Sequence, residues 1–344
     1  MEVQHTLGQC IHFVLPEDKN LPSGGNIYNA QLINALQQAG QEVKIISFAE
    51  YSRAIAERQK GIFGVDSLFV DDLQSLDWEK SPGFFSFFIM HHLLSLHPPA
   101  GVDGKQLFEE REKKVLLQFD AILASSEFSR DYLKANGISV PTVVVEPASA
   151  SAAGNRHLSQ SLPLRGLMVA NVVERKGILA LLEALEKLSA REDQFILNII
   201  GRQDMEPDYF SRCEALVQHS HLQKKVQFSG PLSYAKTLRQ YAKHHLLISA
   251  AHMETFGMAI QEAKSSGLPL LLLNGGYSSR HLTAKHGKLC RNIFELAENF
   301  IELSKDPDEF KVLKNAALQQ QQEAGAYNWQ SAAALFLNKF RNFL

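Results

Sequence analysis

The chain has 344 residues, and its 35 Lys and Arg stand against 37 Asp and Glu, a net charge of −2. A hydrophobic fraction of 45% suits a globular chain and excludes a disordered one, and the near-neutral balance gives no support to a nucleic-acid binder. At roughly 100–200 residues per domain the length points to two domains. Cys10, Cys213 and Cys290 are widely spaced with no CxxC, which indicates a reducing compartment and no disulfide framework. Met1–Gln9 is polar and the apolar run Cys10–Leu15 is too short for a secretory leader. Gly83–Met90 falls far short of the roughly 20 residues of a membrane span, so a cytoplasmic chain is expected.

Short apolar runs alternate with helical patterns. Cys10–Leu15 reads as a buried strand, followed by a polar loop and a helix from about Asn26 to Ala39 closed by Gly40. Val43–Phe48 is the next strand, which completes a βαβ unit of a parallel sheet. Phe84–Met90 reads as a strand, Gly104–Phe119 as a charged amphipathic helix, Ala121–Ala124 as a strand, Ser126–Asn136 as a helix and Thr142–Val145 as a strand. Pro147–Pro163, rich in Ser, Ala, Gly and Pro, is the linker candidate.

A second series follows. Strands are expected at Leu167–Ala170, Phe195–Ile200, Val226–Ser229, His245–Ser249 and Leu268–Leu273. Helices are expected at Gly177–Leu188, Tyr209–Val217, Leu238–His244 and Gly257–Ser266, with a mostly helical tail from Ile293. The class is α/β, with two Rossmann-like, doubly wound parallel-sheet halves. The net charge divides unevenly: residues 1–150 hold 12 basic against 19 acidic side chains, and residues 151–344 hold 23 against 18. The second half is therefore the better seat for an anion.

Ligands of open α/β sheets sit at the carboxyl ends of strands. In Asn171–Gly177 (NVVERKG), Arg175 and Lys176 stand at a helix start, where cations are unfavourable unless an anion fills the site; the plain alternative is two solvated charges. Gly201 ends FILNII and permits close backbone approach, or is a turn glycine. In His252–Glu262 (HMETFGMAIQE), the N–H groups of Phe256, Gly257 and Met258 suit an anion, and Glu254 and Glu262 can accept from sugar hydroxyls. The diglycines of NGGY (Asn274–Tyr277) and of PSGGN (Pro22–Asn26) make room for a ligand.

ETFGMAIQEAKSSGLPLLLLNGG resembles the signature of retaining glycosyltransferases of family 4, with Glu254 and Glu262 on its two glutamates. ERKG resembles that family's donor-phosphate loop, and SGGNIYNAQLINALQQAGQEVKIIS its amino-terminal glycine loop, helix and strand. The resemblance covers most of the chain in the right order. It implies a GT-B fold of two Rossmann-like domains facing a cleft: an acceptor-side domain at 1–155, a donor domain at 156–325, and a C-terminal helix at 326–344 packing back toward the first. It implies a nucleoside-diphosphate sugar as donor, a hydroxyl acceptor, retention of configuration, and no metal or other cofactor.

Carried over residue by residue, the resemblance makes Glu262 an acceptor for ribose hydroxyls. It sets Glu254, Phe256, Gly257 and Met258 against the donor sugar and phosphates, and makes Lys176 and Arg175 the diphosphate cations. Gly24 and Gly25 become phosphate or acceptor contacts, and Gly201, Arg202 and Leu232 neighbours of the nucleobase. His91 becomes the histidine beside the reacting carbon, with His92 its substitute.

The chain departs from the pattern at Asn171, where an arginine is common, at Ala251 in place of serine, and at Ala148 and Ala150 in EPASA. These departures keep a non-catalytic sugar-nucleotide-binding subunit as the alternative, with a GT-B epimerase behind it. The acidic first half disfavours attraction to anionic lipid, although peripheral membrane contact stays open.

Overall fold

The computed structural model describes residues 6–16, 23–78, 81–99, 101–148, 162–282, 285–324 and 327–344. Most of the expected linker, residues 149–161, and with it Ala150, lies outside them. The described residues form two compact units, one from residues 6–16, 25–148 and 328–344, the other from residues 23–24 and 162–327.

The first unit begins with strand β1 (Ile11–Val14), helix α1 (Gly24–Gln38), β2 (Val43–Ile46), α2 (Phe48–Ala56), β3 (Gly61–Asp66), α3 (Val70–Gln74) and β4 (Phe84–Met90). After β4 come α4 (Gly104–Leu107), α5 (Lys113–Leu116), β5 (Ala121–Ala124), α6 (Glu127–Ala135) and β6 (Thr142–Val144). All pairings are parallel in the order β2-β1-β3-β4-β5-β6, so the chain reverses its winding between β1 and β3. Two helix starts show their local chemistry: Ser47 and Glu50 cap α2 reciprocally, and the Ser126 hydroxyl accepts from the Ser129 N–H at α6.

Three expectations shift here. Helix α1 starts at Gly24 rather than Asn26, so both glycines lie in its first turn; tertiary contact overrides their poor helix propensity. Val43–Phe48 splits, because the Ser47–Glu50 capping box turns Phe48 into α2. The single helix expected over Gly104–Phe119 carries a π-helical turn at Phe108–Glu112 between α4 and α5, which swings Glu112 inward to meet the Ser95 N–H and hydroxyl.

The second unit runs β7 (Leu164–Val169), α7 (Ile178–Leu188), β8 (Phe195–Ile200), α8 (Pro207–Gln218), β9 (Val226–Phe228), α9 (Tyr234–Tyr241) and β10 (Leu246–Ser249). It continues with α10 (Met258–Ser265), β11 (Leu270–Leu273), β12 (Gly287–Cys290), α11 (Ile293–Lys305) and α12 (Pro307–Ala324). Its parallel sheet has the order β9-β8-β7-β10-β11-β12, with the winding reversed between β7 and β10. The all-leucine β11 is buried on both faces: Leu271 and Leu273 join the core with α7, Phe195 and Phe300, while Leu270 and Leu272 join the core with α10 and Tyr241.

The last helix, α13 (Trp329–Phe340), belongs to the first unit. Asn328 caps it, and its inward stripe sets Phe336 and Phe340 against Phe87 of β4, with ring centroids 5.7 and 4.7 Å apart.

Candidate functional site

In the second unit the reversal between β7 and β10 opens a gap at the strand ends, and the loops that leave these strands meet there. After β7, a 3-10 turn at Glu174–Lys176 leads into α7 through Gly177, whose φ of 64° is left-handed. A Cβ on Gly177 would lie 2.2 Å from the Ala250 carbonyl oxygen, so only glycine lets this loop lie against the end of β10. The His252 N–H donates to the Arg175 carbonyl at 3.1 Å, which ties the two loops backbone to backbone.

The side chains follow. Lys176 Nζ lies 2.5 Å from Glu254 Oε1, and each side chain retains 14% exposure. Burial alone would raise the Glu254 carboxyl, but Lys176, Arg175 and the more distant His281 outweigh it and hold it below the usual range. Burial also pulls the Lys176 ammonium down; Glu254 opposes this and the neighbouring Arg175 reinforces it. Two cations against one carboxylate leave an excess positive charge beside the start of α10. That end has no side-chain cap, with Gly257 at φ 90° just before it. Uncapped N–H groups and an unbalanced cation form an anion seat.

The loop bearing Glu254 is held from the far side by NGGY. Glu254 bridges to Gly276, and the Tyr277 N–H donates to the Glu254 carbonyl at 2.7 Å. A Cβ on Gly275 would fall 2.2 Å from the His252 carbonyl, and one on Gly276 2.3 Å from that of Glu254. These glycines make room for backbone rather than for a ligand, which corrects the sequence reading. Phe256 is buried in a cluster with Tyr277 and His281, and His281 Nε2 donates to the Phe256 carbonyl at 2.5 Å. Burial pushes His281 down to about 4, so at neutral pH it is an uncharged brace.

Glu262 lies two turns into α10 and is 4% exposed. Its Oε2 accepts from the Tyr241 hydroxyl at 2.7 Å, while Oε1 is buried with no hydrogen-bond partner. The Tyr234 hydroxyl neighbours the same carboxylate without closing a hydrogen bond. Burial raises Glu262 to about 7 against the opposing help of the two tyrosines.

Around the end of β8, a Cβ on Gly201 would fall 2.0 Å from the Ala170 carbonyl, so this glycine serves the contact between β7 and β8. Arg202 forms a two-pronged pair with Asp204, at 2.9 Å on each bond. Asn171 Oδ1 accepts from the Arg202 N–H at 3.1 Å, so the residue standing in place of the common arginine ties loops together. Leu232 is half-buried against Leu167, Ile200 and Tyr241.

In the first unit His91 follows β4. Its Nε2 lies 2.9 Å from Asn29 Oδ1 and 3.4 Å from Asp66 Oδ2. Asn29 Nδ2 donates to Asp66 Oδ2 at 2.6 Å, and the Leu68 N–H donates to Oδ1 at 2.9 Å. Burial alone would raise the Asp66 carboxyl, yet His91, Leu68 and Asn29 hold it below the usual range. A Cβ on Gly25 would come within 2.9 Å of the His91 ring, which is why a glycine fits in the first turn of α1 beside it.

Residues 158–320 match the family model described as glycosyl transferases group 1. The match spans nearly all of the second unit. A serotype-specific mannosyltransferase, WbdA of Escherichia coli, is 27% identical over 233 residues, covering 60% of this chain and 28% of that protein. The chain thus spans less than a third of the length of that curated relative. Among solved structures, a sucrose-phosphate synthase from Thermosynechococcus elongatus superposes with a TM-score of 0.72 at 17% identity, over 97% of this chain and 98% of that one. HepE from Anabaena, solved with UDP and glucose, gives 0.71 at 14% identity over 97% and 100%. The fold is GT-B.

Within the second unit the structure gathers Arg175, Lys176, Glu254, Phe256, Gly257 and Met258 into one place, with Glu262 behind them on α10. It adds Tyr241 and His281, which sequence reasoning passed over; Tyr241 sits in an ordinary amphipathic helix, and only its pairing with Glu262 distinguishes it. Asn29 and Asp66 of the first unit were also missed. Among the described residues no group of three or more His, Cys, Asp or Glu could hold a metal ion. No described helix is long and apolar enough to cross a membrane.

Proposed function

We propose that this chain is a retaining, metal-independent glycosyltransferase that moves a sugar from a nucleoside-diphosphate donor to a hydroxyl acceptor. The observation that carries this reading is the Lys176–Glu254 pair at the reversal point, set beside Arg175 and the uncapped start of α10. The HepE complex with UDP and glucose and the mannosyltransferase relative support a UDP- or GDP-sugar.

In this reading the diphosphate lies on the α10 N–H groups with Arg175 and Lys176 alongside. The positive field stabilises charge as the bond from anomeric carbon to phosphate oxygen breaks. The acceptor hydroxyl bonds to the anomeric carbon from the same face and passes its proton to the departing phosphate oxygen. Within the second unit Glu254 contacts the sugar, and it does not serve as a covalent nucleophile. Glu262 Oε1, buried without a partner, is the atom offered to a ribose hydroxyl.

A second reading, a sugar-nucleotide-binding subunit without turnover, is favoured by Asn171, which is committed to the Arg202 backbone where a third donor cation would be. A thermal-shift panel of UDP-, GDP-, ADP- and dTDP-sugars, followed by transfer and hydrolysis assays with the stabilising donor, separates the readings. Stabilisation with turnover supports the transferase. Stabilisation without turnover across many acceptors supports the subunit, and no stabilisation by any donor removes both.

A further inference from the structure

Helix α9 lays two tyrosines on one stripe. Tyr234 is its first residue and Tyr241 its last, seven positions or about two helical turns on, so both side chains leave the same face. That face meets α10, because both tyrosines neighbour Glu262. Tyr241 packs in the core with Leu167, Ile200 and Ile260, and its hydroxyl is committed to Glu262 Oε2 at 2.7 Å. Tyr234 stands at the other end, where α9 leaves the loop after β9. This is the strand-end edge of the sheet, where α10 also begins and where ligands of open parallel sheets sit.

The Tyr234 hydroxyl oxygen is buried, and among the described residues it closes a hydrogen bond with none. Glu262 Oε1 is in the same condition beside it. An orphaned buried polar atom is costly, and phenylalanine at position 234 would complete the stripe without one. Two such atoms side by side, one able to donate and one able to accept, specify what fits between them. A phosphate oxygen only accepts, and it would meet the charge of the carboxylate. An ammonium only donates, and it would leave the tyrosine proton unused. A hydroxyl accepts from Tyr234 and donates to Glu262 Oε1, so it satisfies both atoms at once.

We infer that Tyr234 is a binding residue of the donor site, its hydroxyl and Glu262 Oε1 gripping one ribose hydroxyl from two sides and selecting ribonucleotide over deoxyribonucleotide donors. The inference deepens, and rests on, the reading of the second unit as the seat of a nucleoside-diphosphate sugar. The two tyrosines divide the work. Tyr241 holds the carboxylate in place through Oε2, and Tyr234 touches the ligand. A donor that lacks the gripped hydroxyl leaves both buried atoms unpaired, so the site rejects it by more than the worth of one contact.

The test titrates the full chain and its Tyr234→Phe variant with UDP, GDP and ADP and with the 2′-deoxy and 3′-deoxy forms of each. The native chain should bind its preferred ribonucleotide about 10–100-fold more tightly than the form lacking the gripped hydroxyl. Tyr234→Phe should bind that ribonucleotide about 5–20-fold more weakly and the deoxy form within about twofold of native, so the gap between them narrows by a similar factor. Equal native affinity for the ribonucleotide and both of its deoxy forms overturns the inference. An equal loss with every form in Tyr234→Phe also overturns it, because the tyrosine would then only brace Glu262. If Tyr234→Phe does not fold, Tyr234→Leu is judged by the same ratios. Binding of none of the three ribonucleotides by the native chain removes the donor reading itself and this inference with it, whereas ribonucleotide binding without selectivity removes this inference alone.

Discussion

Lys176 and Glu254 form a 2.5 Å ion pair across the reversal point of the second sheet, one from the loop after β7 and one from the loop after β10. The pair is largely withdrawn from water, so its members depend on each other. Lys176→Met should strand the Glu254 carboxylate and cost about 3 kcal/mol, whereas Glu254→Gln, which still accepts from the ammonium, should cost less than half of that. Because the folded Glu254 carboxyl titrates below its ordinary value of 4.5, its contribution is present above that value and is lost as pH falls through the depressed one. Urea unfolding at pH 7 and pH 3 checks this: the gap between native and Lys176→Met should narrow in acid. Both variants should also lose turnover, and equal stability of the two at pH 7 would contradict the assigned roles.

Glu262 works in the opposite sense. Its folded value of about 7 lies above the ordinary 4.5, so the folded state favours the proton and stability declines as pH rises from about 4.5 to about 7. Glu262→Gln keeps an acceptor for Tyr241 and removes the charge. It should be more stable than the native chain by about 3 kcal/mol at pH 8 and equal to it at pH 4, since each pKa unit is worth about 1.4 kcal/mol. Donor affinity should fall in the same variant, and a melting-temperature series against pH beside donor titrations reads both. A variant less stable than native at pH 8 would refute the assignment.

Tyr241→Phe isolates the single hydrogen bond that satisfies Glu262. Oε1 already lacks a partner, so loss of the 2.7 Å bond to Oε2 leaves the whole carboxyl unsatisfied. The expected cost is about 1–3 kcal/mol, larger at pH 8 than at pH 5 because the charged form suffers more. A pH-independent cost would mean that Tyr241 contributes packing alone.

Much of this was legible in the sequence, and the misses have physical causes. The leucines of β11 stand out because a strand buried on both faces reads as an unbroken apolar run, and Phe195–Ile200 because only Asn198 interrupts its apolar residues. Strand β3, GIFGVD, did not, because Gly61 and Gly64 interrupt it; a Cβ on Gly64 would strike the Phe87 ring at 2.3 Å, so the strand gives up a side chain to fit its neighbour. Missing β3 hid Asp66, since nothing marked it as a strand-end residue. Arg175 and Lys176 were legible because cations at a helix start are anomalous without an anion, and Glu254 because it stands eight residues before Glu262 in HMETFGMAIQE. The glycines of NGGY were recognised as significant but assigned to a ligand, since sequence does not reveal whether a close approach is made by substrate or by backbone.

Gly276→Ala tests that reassignment. The glycine has φ 58°, and a Cβ there would sit 2.3 Å from the Glu254 carbonyl oxygen and 3.0 Å from its nitrogen. Neither atom can yield as a flexible side chain would, so the β11 loop must retreat from the Glu254 loop and the bond from the Tyr277 N–H to the Glu254 carbonyl must lengthen or break. The strain is local to two loops at the sheet edge, while the leucine core of β10 and β11 lies below it. The expected result is therefore a fold retained by circular dichroism, a loss of stability of about 1–3 kcal/mol, and a fall in turnover larger than that loss alone explains, because Glu254 and its pair with Lys176 are displaced. Had the glycine served only to admit a ligand, alanine would cost about 1 kcal/mol of left-handed strain and reduce donor affinity, but would leave kcat at saturating donor unchanged. Comparing kcat at saturating donor with donor KM distinguishes the two outcomes.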